Sequence, residues 1–151
     1  MSPEVIDTMG RKSSENATTI SLLNQALQLE YSLIVHYPRL ASAIRDEAVR
    51  KLALGLGSAS VDHANTVAKA ITKLGGKPIW TFGAFPHGSD VSEIFKIQLE
   101  KEKLALKLHQ QSAELIMNAS LKDDFNKLAK EEESHIKTVE NILSKLGKSS
   151  D

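Results

Sequence analysis

From Phe125 to Leu146 one rhythm runs through the chain. Phe125, Leu128, Glu132, His135, Val139, Ile142 and Leu146 follow one another at alternating steps of three and four. At about 3.6 residues per turn this spacing puts all seven side chains on one face of a helix. Such a face must be covered by other helices, so the chain is constrained to pack helix on helix. Glu132 and His135 break the apolar character of that face without breaking its period. A carboxylate and an imidazole one turn apart are costly to bury unless something pairs with them. In helix bundles the pairing is commonly a metal ion held by a Glu-x-x-His motif. A buried ion pair between the two residues is the alternative.

The rest of the chain reads as three more helices. Residues 1–17 are polar and Ser-rich and read as an N-terminal arm. The bundle is expected over 18–147, with a tail at 148–151. The first helix is expected from about Thr18 to Ile44, on the stripe Leu23, Leu27, Glu30, Leu33/Ile34, Tyr37, Ala41, with a kink where Pro38 removes a backbone donor. The second is expected from about Asp46 to Leu74, on Leu52, Leu56, Ala59/Ser60, His63, Val67 and Ile71; Gly75-Gly76 and Pro78 stop it. Asp90 with Glu93 predicts a capping box for a third helix reaching about Met117, and Ser120 with Asp123 predicts another for the fourth. The connections within each half are short, so each half is an antiparallel hairpin. Between the halves lie ~14 residues, which can span roughly 50 Å at ~3.5 Å per residue. An all-α four-helix bundle with one long crossover follows. Trp80, Phe82 and Phe85 in that crossover are expected to pack on the bundle.

Composition narrows the chemistry. The chain of 151 residues is long enough for one domain with a core. Its 19 basic residues balance its 19 acidic ones, which argues against nucleic acid or an anionic membrane as partner. The arm offers only Arg11 and Lys12 as basic residues. The absence of cysteine excludes thiolate-held zinc, iron or iron–sulfur clusters within this chain. No apolar run approaches the ~20 residues of a membrane span, and the N-terminus lacks the apolar core of a signal peptide. A cytoplasmic protein is expected.

Each stripe carries polar residues near its middle: Glu30 on the first, His63 on the second, Glu100 on the third, Glu132 and His135 on the fourth. Hard carboxylate oxygens mixed with imidazole suit iron or manganese. Glu102 competes with Glu100, because Leu99 and Leu106 flank it at helical spacing, but a solvated surface charge is the preferred reading for it. His36 and His109 lie one step off the core faces and are expected to be partly exposed. His87, in the crossover, is expected at the surface. Tyr37 is expected to be core packing, with a radical or electron-relay role as the lesser reading.

These segments resemble the ferritin-like di-iron carboxylate proteins, nearest to bacterioferritin and rubrerythrin. LLNQALQLEYSLIVHY resembles the first-helix segment that carries a terminal Glu, which falls on Glu30; Tyr37 matches a tyrosine found near the metals. SVDHANTVAKAITKLGGKP resembles the second helix and its terminating turn, with the His ligand at His63. IQLEKEKLALKLHQ matches the third helix, with Glu100 as ligand. LAKEEESHIKTVENI matches the fourth, with Glu132 bridging and His135 as ligand. The resemblance covers about residues 20–146. It implies a non-haem iron or manganese protein that reacts divalent metal with dioxygen or peroxide, supplied by an external electron donor where turnover requires one.

Several residues depart from the family pattern. The pattern wants a bridging Glu three residues before His63, and Ser60 stands there. Asp62 cannot replace it simply, being about 100° around the helix from His63. An altered dinuclear site, a mononuclear site and a metal-free bundle serving as an interaction module all remain open. Val61 stands where a bacterioferritin haem takes its axial Met, so no haem is expected. The chain ends soon after the fourth helix, without the short fifth helix of ferritin cages, and a homodimer or small homo-oligomer is expected.

Overall fold

The computed structural model describes the backbone of residues 3–149 and the side chains of residues 16–147. Four helices follow in order: α1 Pro3–Ala41, α2 Glu47–Lys73, α3 Val91–Leu115 and α4 Ala119–Ser149. α1 packs on α2 and α3 on α4 as hairpins, and the hairpins meet through α1 on α3 and α2 on α4. This is the all-α four-helix bundle with one long crossover.

Local chemistry sets the helix ends. Asp46 caps α2 by accepting from the Val49 N–H at 2.9 Å, and Asp90 caps α3 by accepting from the Glu93 N–H at 2.9 Å. Both satisfy a backbone donor that the first helical turn leaves free. α4 starts differently from the expectation at Ser120: Asn118 caps it, accepting from the Leu121 N–H at 3.0 Å. α2 ends in a Schellman turn, with the Gly76 N–H donating to Ile71 and the Gly75 N–H to Thr72. Gly75 has φ 89°, which a side chain would disfavour.

α1 starts earlier than the Thr18 expected from the sequence, at Pro3. It stays helical through Pro38. Its close neighbour there is Gly57 of α2: a Cβ on Gly57 would lie 3.2 Å from the Cβ of Tyr37 and 3.5 Å from Cδ of Pro38. A glycine that looks like a weak point in α2 is what lets the two helices approach. The crossover lies along α1 and is tied to it in register. The Asn24 side chain donates to Lys77 O and accepts from the Ile79 N–H; the Ser32 hydroxyl accepts from the Gly83 N–H. Arg39 covers Phe85 at 3.9 Å. Phe85 packs against the core as expected. Trp80 and Phe82 contact Tyr31 edge-to-face but remain 48% and 53% exposed.

The interior is apolar at both ends and polar in the middle. One cluster holds Leu23, Leu27, Val67, Ile71, Ile116 and Phe125; the other holds Leu33, Tyr37, Leu40, Leu56, Phe95 and Ile142. Each buried aliphatic or Phe side chain contributes about 1.5–3 kcal/mol by leaving water. In sequence, Glu30, Ser60, His63, Glu102 and Glu132 each fall between residues of the two clusters. All are buried.

Candidate metal centre

Six ionisable side chains from all four helices meet in this middle layer. α1 supplies Glu30, α2 His63, α3 Glu102 and His109, α4 Glu132 and His135. They form two groups that share Glu132. Glu30, His63, His109 and Glu132 bring one ligand atom each to within 4.8 Å of one another, and so do Glu102, Glu132 and His135. Glu132 Oε1 lies 2.9 Å from His63 Nδ1 and 3.8 Å from His109 Nε2, while its Oε2 lies 3.6 Å from His135 Nδ1. Glu30 reaches His63 at 3.5 Å and His109 at 3.3 Å, and Glu102 reaches His135 at 3.2 Å. The His63 and His135 rings stack with centroids 4.9 Å apart.

Outside the cluster, His63 Nε2 donates to Glu131 Oε2 at 2.7 Å. The ring is therefore fixed with Nδ1 turned inward, the usual device for presenting one histidine nitrogen to a metal. Tyr37 is buried beside the cluster; its hydroxyl has no hydrogen-bond partner, and neither has Glu102 Oε1. A surface depression of about 290 Å³, lined by Asp62, His63, Thr66, Asp124, Lys127 and Glu131 among others, reaches His63 from outside.

Burial and charge oppose each other here. Burial alone would lower the histidine pKa values, but the carboxylates of Glu132 and Glu30 outweigh it and raise His63 to about 11. Against the same opposition from burial, Glu102 and Glu132 raise His135 to about 9, and His109 also shifts upward. Burial raises Glu102 to about 8 and pushes Glu30 upward too, where the negative Glu132 adds to it. Glu132 moves the other way: burial would raise it, but three histidines around it hold it well below the carboxylate range. Burial pushes the Tyr37 hydroxyl well above its ordinary value, with Glu102 next. Three carboxylates facing three imidazoles, with several of their oxygens lacking a hydrogen bond, are a donor set that suits hard divalent cations.

Four of the five ligands expected from the sequence, Glu30, His63, Glu132 and His135, come together here. Glu100 does not. It stands on the outer face of α3, its side chain 73% exposed and 3.6 Å from Lys103. The inward residue is Glu102. Ile97 and Leu104, the apolar residues that flank Glu100 at helical spacing, are exposed with it, so that face of α3 points outward. The buried face of α3 is Phe95, Gln98, Glu102, Ala105, His109 and Ser112, largely polar where it lines the centre. His109 is buried in the cluster rather than partly exposed. The signal that could have found it is its spacing of seven residues from Glu102, two turns along one face. His36 is also buried, but under the crossover, 3.1 Å from Gly83 O. Ser60 is buried at the position of the missing carboxylate, and its hydroxyl donates to Leu56 O at 3.0 Å.

Solved structures share this architecture. A ferritin-like di-iron carboxylate protein from Bacillus anthracis is 22% identical, covering 85% of this chain and 97% of its own, with a TM-score of 0.78. Desulfovibrio desulfuricans bacterioferritin, whose structure was solved with its di-iron site in different catalytic states, is 24% identical, covering 93% of this chain and 86% of its own, with a TM-score of 0.76. A dodecameric thioferritin from Bacteroides fragilis is 19% identical over 89% of each chain, with a TM-score of 0.76. Among curated proteins none matches. A family model for the ferritin-like domain matches residues 20–149, and with this span and this centre the chain belongs to the ferritin-like domain family.

Proposed function

We propose that the chain is a non-haem metalloprotein, binding iron with manganese as the alternative, that reacts divalent metal with dioxygen or peroxide. The observation that carries this reading is Glu132, a buried carboxylate with one oxygen turned to each of two donor groups. Iron held by Glu30, His63, Glu102, Glu132 and His135 would supply the electrons that reduce the oxidant. The chain's own residues do the rest. Glu132 would serve both donor groups, Glu30 and Glu102 would each add a carboxylate to one of them, and Glu131 orients His63. The apolar clusters above and below keep bulk water from the layer. Tyr37, against Glu102, is the candidate for passing an electron or a proton. An external donor would return electrons if the metal stays bound; if iron is cargo, it is the substrate and leaves oxidised.

Ferroxidation or peroxide removal fits this arrangement best, in a cytoplasmic homodimer or small homo-oligomer. No helix among the described residues is long and apolar enough to cross a membrane. Ser60 favours a second reading: with one carboxylate fewer than the family pattern, the bundle would hold a single ion, or none, as a non-catalytic module. The two separate by experiment. Protein loaded with Fe(II) without oxygen and then exposed to air should develop near-ultraviolet charge-transfer absorption of ferric ion, absent in Glu132→Ala. Tightly bound iron that stays ferrous in air would favour the second reading.

A further inference from the structure

The centre divides unequally about Glu132, and the division follows from Ser60 and His109 together. The Ser60 hydroxyl is committed to the Leu56 carbonyl and offers the centre no charge. His109 enters from α3 on the other side. It is wholly buried, with Nε2 3.3 Å from Glu30 and 3.8 Å from Glu132. Its ring rests against Phe125 at 5.9 Å between centroids, which holds its orientation, and its Nδ1 has no hydrogen-bond partner. Packing alone gives no reason for an imidazole here, because a buried polar ring costs free energy unless its nitrogens are satisfied.

We propose that His109 takes the place of the carboxylate that Ser60 leaves out, making two unlike metal positions that fill in order. This deepens the dinuclear reading above and rests on it. The first position has four donors: Glu30, His63, His109 and Glu132. The second has three: Glu102, His135 and the shared Glu132. Exchanging an anionic donor for a neutral one also changes the charge. With neutral imidazoles, three carboxylates face the ions. One divalent ion leaves the centre net negative, and a second makes it net positive. The second ion therefore binds with fewer donors and against the charge of the first. Its unfilled coordination is where an outside ligand can enter, beside Tyr37 and Glu102.

The test is an anaerobic Mn(II) titration of the full chain, counted by equilibrium dialysis and mass spectrometry. Wild type should take two ions per chain, the second at least tenfold more weakly. His109→Gln should weaken the first step at least tenfold, and Ser60→Glu added to it should restore that step. Glu102→Gln should lose only the second ion. Pulsed electron paramagnetic resonance of wild type with one Mn(II) bound should show two inequivalent imidazole nitrogens, which needs no variant to fold. Two ions of equal affinity, a single nitrogen on the first ion, or an unchanged first step in folded His109→Gln would each overturn the inference while leaving a dinuclear centre. A single ion per chain also overturns it and points to the mononuclear reading. No bound ion at all overturns the metal reading beneath it.

Discussion

Glu132 is negative at neutral pH because His63, His109 and His135 surround it; in metal-free protein the same contacts shift all three histidines upward, far enough at His63 and His135 that these two hold protons. A metal ion needs neutral imidazole and ionised carboxylate, so binding must expel protons. The sign for stability follows from linkage. His63 and His135 have folded pKa values of about 11 and about 9, above the ordinary 6.5. Their contribution is complete below pH 6.5 and is lost as pH rises through 9 and then 11. Glu102, raised to about 8, acts in the same direction between pH 4.5 and 8. Metal-free protein should therefore lose stability from pH 6.5 to 9, while Mn(II) affinity rises across that range. Urea titrations with and without metal at several pH values read both trends, and parallel curves would contradict the protonated cluster. Glu131→Ala should lower metal affinity roughly 10–100-fold by freeing the His63 ring. Because Glu131 is partly exposed, metal-free stability should barely change; isothermal titration and thermal melts check the two halves.

At the scale of the helix, what the sequence revealed depended on how apolar the buried face is. α4 alternates large apolar residues with only two polar ones, so its phase, and with it the inward placing of Glu132 and His135, was legible. α3 was misread because its inward face carries Gln98, Glu102, His109 and Ser112, while Ile97 and Leu104 face out. Hydrophobic periodicity reports burial only where burial excludes polar groups, and the buried polar cluster reverses that rule over two turns of α3. Cap chemistry was legible at Asp90, while Asp46 was read only as the start of α2, and the Ser-x-x-Asp pattern at Ser120 hid the cap at Asn118 two residues before it. Gly55 and Gly57, each unfavourable to the middle of α2 by helix propensity, differ in the structure. Gly55 faces open space, and Gly57 meets Tyr37 and Pro38. Gly55→Ala should stabilise by up to ~1 kcal/mol through helix propensity, about 2–4 °C in Tm for a chain of this size. Gly57→Ala gains the same propensity, but its methyl meets atoms fixed to the α1 backbone, so the helices must part and Tm should fall. Equal shifts for both variants would show that the close approach carries no strain.

For the whole molecule, the crossover decides which surface is left over. Its first half is tied to α1 through Asn24 and Ser32, and Phe85 turns inward. Ile79, Trp80 and Phe82 are left outside, each about half exposed, with Tyr31 beneath the two aromatic rings. A crossover that only had to connect two hairpins gains nothing from three large apolar side chains in water. A contiguous exposed apolar patch is the mark of a surface covered by another molecule. The homo-oligomer proposed for this chain would cover it with a second copy, joining α1 and the crossover of one subunit to those of its partner. A two-fold interface would then be self-complementary, with the patch meeting itself. Trp80→Ala with Phe82→Ala should shift the protein to monomer, or weaken association at least tenfold. It should leave the metal count per chain unchanged, because neither residue lines the centre. Size-exclusion chromatography with light scattering, run beside metal analysis, reads both quantities. A wild-type monomer at high concentration would remove the self-association reading, and loss of metal in the double variant would show that the centre depends on assembly.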